Sequence, residues 1–153
     1  MPTTNDDDTL LEVEKVASVS GAFGTITRDT AGLCCAARGS SAPAHYGVKR
    51  AGDRWLVSLA TPDRWLSESI ETSLLHSRDT MEDLLLDELK DRDWTEGAVA
   101  VKHFRDETKC YVFEAALPAS SNARDDIRRL GTLLVAFEGT FSELGDMSEA
   151  ESP

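Results

Sequence analysis

What the chain lacks narrows its chemistry first. It has three cysteines in 153 residues, and an odd number does not make a disulfide framework. Cys34 and Cys35 are adjacent, Cys110 is far away, and this usage fits a reducing compartment. The three histidines, His45, His76 and His103, include no i, i+4 pair, and no Cys-x-x-Cys occurs, so no zinc-binding spacing is present. Around Ser20-Gly21 and Gly39-Ser40-Ser41 there is no Gly-x-Ser-x-Gly elbow to raise a nucleophile. Gly21-Ala22-Phe23-Gly24 lacks the third glycine of a dinucleotide loop, and no Gly-Lys-Ser/Thr cradles phosphate. No apolar run approaches the ~20 residues that span a bilayer. Met1 to Thr9 has neither the basic start nor the apolar core of a signal peptide. Basic residues are scarce as well. Sixteen Lys and Arg against 28 Asp and Glu leave a net charge of −12, which repels phosphate and disfavours nucleic acid and anionic membrane as partners. These absences describe a cytoplasmic protein with no expected metal, cofactor or catalytic residue.

What is present is a core and a clear pattern. A hydrophobic content of 41% supports folding, and the length suits one domain. The strongest periodicity runs from Asn122 to Leu144. Ile127, Leu130, Leu134, Phe137, Phe141 and Leu144 recur at intervals of three and four, one stripe of an α-helix. Arg124, Asp125, Asp126, Arg128, Arg129, Glu138 and Glu143 fall mostly off it. Asn122 reads as the N-cap and Gly145 as the stop. This helix is expected to roof a sheet made by the rest of the chain.

Residues 1–9 and 146–153 read as acidic, disordered tails flanking a single domain over 10–145. Leu10, Val13, Val16 and Val19 give a short helix, although Leu11, Val13 and Val16 could instead begin a strand. Strands are expected over Ala22–Arg28, Leu33–Arg38, His45–Arg50 and Arg54–Ala60, joined by turns at Asp29-Thr30-Ala31-Gly32, Gly39–Pro43 and Arg50-Ala51-Gly52-Asp53. Thr61 reads as an N-cap with Pro62 at the first helical position. Leu66, Ile70 and Leu74 form the apolar stripe. A second start follows at Asp79-Thr80-Met81-Glu82, a capping box with Asp as cap, giving two helices with a break near Ser77 or one kinked helix. A hairpin then joins Gly97–Phe104 to Lys109–Leu117. The class is α+β: a two-layer sandwich of about five to six antiparallel strands with helices on one face.

In that arrangement Trp55, Tyr111 and Phe113 face the helices. The other face carries Leu56, Ser58, Ala98, Ala100, Val112 and Ala116, which are small and weakly apolar where a solvated sheet is normally charged. That face reads as a protein interface, with a homodimer as the expected assembly and Trp94 at the helix-to-strand return as a partly exposed neighbour. Gly131 and Gly139 inside the last helix suggest close approach by another backbone, at the sheet or at a second subunit. Glu82, Asp83, Asp87, Glu88 and Asp91 read as the wet side of an amphipathic helix. Adjacent Cys34 and Cys35 point to opposite faces of a strand, so at most one meets a pocket.

The second half also resembles a known family. A leucine-rich helix (Met81 to Lys90) leads into Gly97-Ala98-Val99-Ala100-Val101, then Cys110-Tyr111-Val112-Phe113-Glu114-Ala115-Ala116-Leu117-Pro118. A long helix follows, ending Ala136-Phe137-Glu138-Gly139-Thr140-Phe141-Ser142-Glu143-Leu144. Over Thr61 to Leu144 this element order and hydrophobic pattern resemble the YbjN-like proteins and the type III secretion chaperones that share their fold. The resemblance implies a small acidic cytoplasmic domain, often dimeric, that binds other proteins or clients without catalysis. The alternative expectation is a small-molecule site or an enzyme with a pocket near Cys34, His45 and His103.

Overall fold

The computed structural model describes residues 6–28, 32–37, 44–51, 54–77, 80–95, 97–117 and 123–141. Ten elements follow in the order α1 (Asp6–Ser20), β1 (Phe23–Arg28), β2 (Leu33–Ala37), β3 (His45–Ala51), β4 (Arg54–Thr61), α2 (Arg64–Ser77), α3 (Met81–Lys90), β5 (Val101–Arg105), β6 (Tyr111–Ala116) and α4 (Ala123–Phe141). The strands make one six-stranded sheet in the order β1-β2-β3-β4-β6-β5. Every neighbouring pair is antiparallel. The fold is therefore the α+β sandwich expected, with the strand count at the upper end.

Alternation sets the two faces. In β4, Trp55, Val57, Leu59 and Thr61 are buried, while Leu56, Ser58 and Ala60 are half-buried. The register carries this phase across the sheet. Tyr46 lies opposite Leu59 and Val48 opposite Val57; Phe113 lies opposite Leu59 and Ala115 opposite Val57. All belong to one core with Leu66 and Ile70 of α2, Leu85 and Leu89 of α3, and Leu10 and Val13 of α1. Burying a large aliphatic or aromatic side chain contributes roughly 1.5–3 kcal/mol, so this side of the sheet holds the fold together.

The α4 stripe is where the periodicity places it. Leu130, Leu134, Phe137 and Phe141 have no exposed surface, and Ile127 packs against them half-buried. Burial extends beyond the stripe to Leu133, Ala136, Thr140 and Arg129. The reason is that α4 lies over β3 and β4 with α1 against one flank and α3 against the other. A stripe on one helix predicts contact with the sheet, not with neighbours on both sides. Asn122, Leu144, Gly145, residues 1–5 and 142–153, and the central residues of the expected turns lie outside the described residues.

Several boundaries differ from expectation for local reasons. α1 begins at Asp6, inside the stretch read as a tail, because an acidic run is favoured in the first turn of a helix. α2 is capped by Asp63, whose carboxylate accepts the Leu66 N–H at 2.9 Å. Thr61 ends β4 instead, with its hydroxyl accepting the Asp63 N–H. The capping box of α3 lies one residue later than expected: Thr80 accepts from the Asp83 N–H, and Asp83 accepts from the Thr80 N–H. β5 starts at Val101, leaving 97–100 unpaired.

The two glycines of α4 admit neighbouring helices of the same chain, not the sheet or a second subunit. A Cβ on Gly131 would stand 2.9 Å from Val16 Cγ1 and 3.3 Å from its Cβ. A Cβ on Gly139 would meet the Glu88 carboxylate. The two differ in what must yield. Val16 is stiff at χ1, and its Cβ is crowded as well as its methyl, so α1 must move. Glu88 can swing away, giving up an exposed contact to Arg92 at 3.3 Å that is worth under ~1 kcal/mol. Replacing a helical glycine by alanine gains up to ~1 kcal/mol of propensity. Gly139→Ala is therefore expected to be neutral or stabilising by up to ~1 kcal/mol, and Gly131→Ala destabilising by about 1–2 kcal/mol. Urea midpoints of the two variants measured side by side check the opposite signs.

Candidate functional site

Two surfaces remain after the core is filled. The first is the sheet face turned away from the helices. Its centre is built by register: Leu56 lies opposite Ala116, Ser58 opposite Glu114 and Ala60 opposite Val112. β3 adds Lys49, Gly47 and His45 beside these three β4 residues, and β2 adds Cys34 opposite Gly47 and Ala36 opposite His45. The result is a surface in which small residues (Ala36, Gly47, Ser58, Ala60 and Ala116) alternate with His45, Lys49 and Glu114, extended on β5 by Lys102 and the exposed Phe104. Where Gly47 has no side chain, a shallow depression of about 190 Å³ is lined by Cys34, Lys49 and Ser58 among others.

Leu56, Ser58, Val112 and Ala116 thus share one patch, as the sequence suggests. Ala98 and Ala100 are exposed in the unpaired segment before β5. Trp94 is a correction: it is buried, at 5% exposure. Asp93 takes a left-handed conformation (φ 65°), which turns the chain back so that the Trp94 N–H reaches the Leu89 carbonyl at 3.1 Å. The indole then tucks inward and its Nε1–H donates to Gly97 O at 2.9 Å. The exposed tryptophan is Trp65 of α2, at 77%.

The cysteines separate as strand geometry requires. Cys34 is exposed on the open face and Cys35 is buried. Burial foremost, then the neighbouring Cys34 and Glu14, push the Cys35 thiol up to about 12, which leaves it without thiolate character. Cys34 and His45 share the open face. His103 does not join them, because its partner in register is Phe113, a core residue. The three residues therefore do not line one pocket.

The second surface is where His103 goes. Between α2, the start of α3 and the β5 edge lies a groove of about 520 Å³ lined by Glu71, Leu74, Leu75, Thr80, Met81, Glu82, Val101, His103 and Phe113. The His103 ring stacks on Phe113 at 3.9 Å and 9°. Its Nδ1 is 3.0 Å from the Val112 carbonyl oxygen, an acceptor only, so Nδ1 carries a hydrogen. Nε2 lies 2.9 Å from Glu71 Oε1, to which it donates when the ring is protonated on both nitrogens, and 3.4 Å from Ser67 Oγ. Glu82 lines the groove as well, its Oε2 accepting the Val101 N–H at 2.9 Å. That bond also occupies a backbone donor at the end of the edge strand.

Serine, histidine and glutamate together invite a catalytic reading, and the geometry opposes it. A triad needs the acid on one ring nitrogen and the serine on the other. Here Ser67 and Glu71, one helical turn apart, reach the same nitrogen. Ser67 is only 2% exposed, so no substrate carbonyl reaches it. What the cluster does is hold Glu71 and His103 in place at the groove wall.

Sequence reasoning missed this groove because its parts are distant in the chain: 19 residues separate Glu82 from Val101 and 36 separate Ser67 from His103. One signal was available. Val99, Val101 and His103 alternate, and the two apolar members place the third on the helix side. Among the described residues no group of three or more His, Cys, Asp or Glu is placed to hold a metal ion, and no helix is long and apolar enough to cross a membrane. Set against known proteins, the chain matches no family model, no curated protein and no solved structure.

Proposed function

We propose that this protein is a non-catalytic protein-interaction module, chaperone-like or regulatory, that pairs through its open sheet face with a second copy of itself. The observation that supports the reading is the composition of that face. Among the described residues the four helices share one core with one side of a six-stranded sheet, and the centre of the other side holds Leu56, Ser58, Ala60, Val112 and Ala116 around Glu114. Small side chains let two flat sheets approach closely, and an isologous contact needs one self-complementary patch. Val112 is buried on that face, outside the main core, and gives the patch an apolar centre. Lys49 and Glu114 lie within the same patch, beside Leu56 and Ser58, and supply opposite charges that a two-fold contact can pair. The order of helix, hairpin and long helix over α3, β5, β6 and α4 also fits the resemblance to the YbjN-like proteins and type III secretion chaperones.

Sedimentation equilibrium tests it. The wild-type protein is expected to dimerise, and Ala60→Asp, which sets like charges against each other across a two-fold axis, to weaken the dimer at least ~10-fold with unchanged circular dichroism. Alkylation of Cys34 should slow as protein concentration rises. A strict monomer whose Cys34 reacts at the same rate at every concentration would overturn the proposal.

A further inference from the structure

The groove beside His103 opens on the helix side of the sheet and stands independently of the pairing surface. We propose that it binds an organic amine: an ammonium group paired with Glu71 and Glu82, on an apolar body laid against Leu74, Leu75 and Met81.

Size, lining and charge lead to this class. A volume of about 520 Å³ lies within the ~300–1,000 Å³ of small-molecule sites. Met81 is buried, Leu74 is half-buried, and Leu75 stands 81% exposed at the rim, so a ligand would cover apolar area now in water. The polar groups are already oriented. The doubly protonated His103 ring fixes one oxygen of Glu71, and the Val101 N–H fixes one oxygen of Glu82. Each carboxylate keeps a second oxygen as acceptor, and an ammonium carries three donors. Charge-assisted bonds of this kind are about twice as strong as neutral ones.

Other classes fit worse. A carboxylate or phosphate ligand would meet two glutamates, while the one basic side chain in the lining, His103, already has partners at both ring nitrogens. An uncharged apolar ligand would strip water from two carboxylates and offer nothing in return. A divalent cation would leave the apolar lining of Leu74, Leu75 and Met81 uncovered, and among the described residues no group of three or more His, Cys, Asp or Glu is placed to hold one.

Titration of the full chain, followed by calorimetry and by amide NMR shifts, tests the proposal with four probes: tryptamine, hexylamine, hexanol and hexanoate. The two amines should bind saturably and shift the Val101 and His103 amides. Hexanol and hexanoate, matched to hexylamine in length, should bind at least ~10-fold more weakly. Glu71→Gln and Glu82→Gln each keep an acceptor for His103 and for the Val101 N–H, so the groove stays built, and the double variant should lose amine binding. Leu75→Lys, on an exposed position, should abolish it by placing a tethered ammonium beside the carboxylates. Hexanol binding as tightly as hexylamine, hexanoate matching the amines, an unaffected double variant, or absence of any amine binding would each overturn the proposal. The probe comparison needs no variant to fold. None of these outcomes bears on self-association, which sedimentation reads separately.

Discussion

Arg129→Ala is expected to cost about 3–5 kcal/mol, the range for removing one partner of a buried ion pair. Arg129 is 1% exposed, the largest of the fully buried side chains. Its Nη1 donates to Asp126 Oδ1 at 3.2 Å, and its Nε lies 3.9 Å from Asp125 Oδ2. Asp126 is itself half-buried, at 17% side-chain exposure. Truncation at 129 therefore removes a side chain from a packed interior and leaves a desolvated carboxylate without its main counter-charge. Arg129→Met separates the two effects, because it keeps most of the apolar stem and removes only the charge. Urea denaturation should rank wild type above Arg129→Met, and Arg129→Met above Arg129→Ala. A loss below ~1 kcal/mol for Arg129→Ala would mean that the pair is effectively solvated.

The same pair makes the loss depend on pH. Burial is the main cause that raises the Asp126 carboxyl above its ordinary value, with Asp125 adding to it; Arg129 and Arg50 pull the other way. A carboxyl whose folded pKa lies above its unfolded one binds more protons in the native state across that window, so its contribution to stability falls as pH rises. Removing Arg129 takes away the strongest opposing attraction and widens the window upward. The cost of Arg129→Ala is thus expected to shrink as pH falls from neutral through the raised Asp126 value, and a pH-independent cost would assign the loss to packing alone.

How far the sequence discloses this molecule depends on the range of the interaction. The α4 stripe and the β4 alternation are legible because periods of 3.6 and two are local and unbroken. Trp55, Val57 and Leu59 could be assigned to one face for that reason, and Leu56, Ser58, Val112 and Ala116 to the other. Arg129 could not be read as buried. Its position off the stripe says only that it avoids the sheet, and the flanking packing of α1 and α3 is a tertiary fact. Trp94 depends on a single left-handed residue, Asp93, that no pattern announces. The caps at Asp63 and Thr80 show the usual one- or two-residue uncertainty where several capping residues cluster. The groove is the least legible feature, since Glu71, Glu82 and His103 come from α2, α3 and β5. Glu82 and Glu88 are both acids of α3, set about 120° apart around the helix; one binds the edge of the sheet and the other covers Gly139.

Phe113→Ala should be comparably damaging, about 3–5 kcal/mol for an aromatic ring removed from a core, and it should reach the groove as well. Phe113 is 2% exposed on β6, between Leu59 of β4 and His103 of β5. Its ring lies 3.9 Å beneath His103 and 5.1 Å from Phe141, which in turn lies 5.4 Å from Phe137. A line of rings thus runs from the groove wall into the end of α4. Phe113→Leu is the informative companion. It keeps the site apolar and mostly filled, at a cost of about 1–1.5 kcal/mol, but removes the flat surface on which the imidazole rests. Once the ring can tilt, the contact to Glu71 loosens, and a carboxylate held less firmly pairs less well with a cation. Phe113→Leu should therefore weaken amine binding by more than its small loss of stability suggests, with hexanol binding unchanged. Equal losses for hexylamine and hexanol would show instead that Phe113 merely shapes the floor of the groove and that His103 orients Glu71 without it.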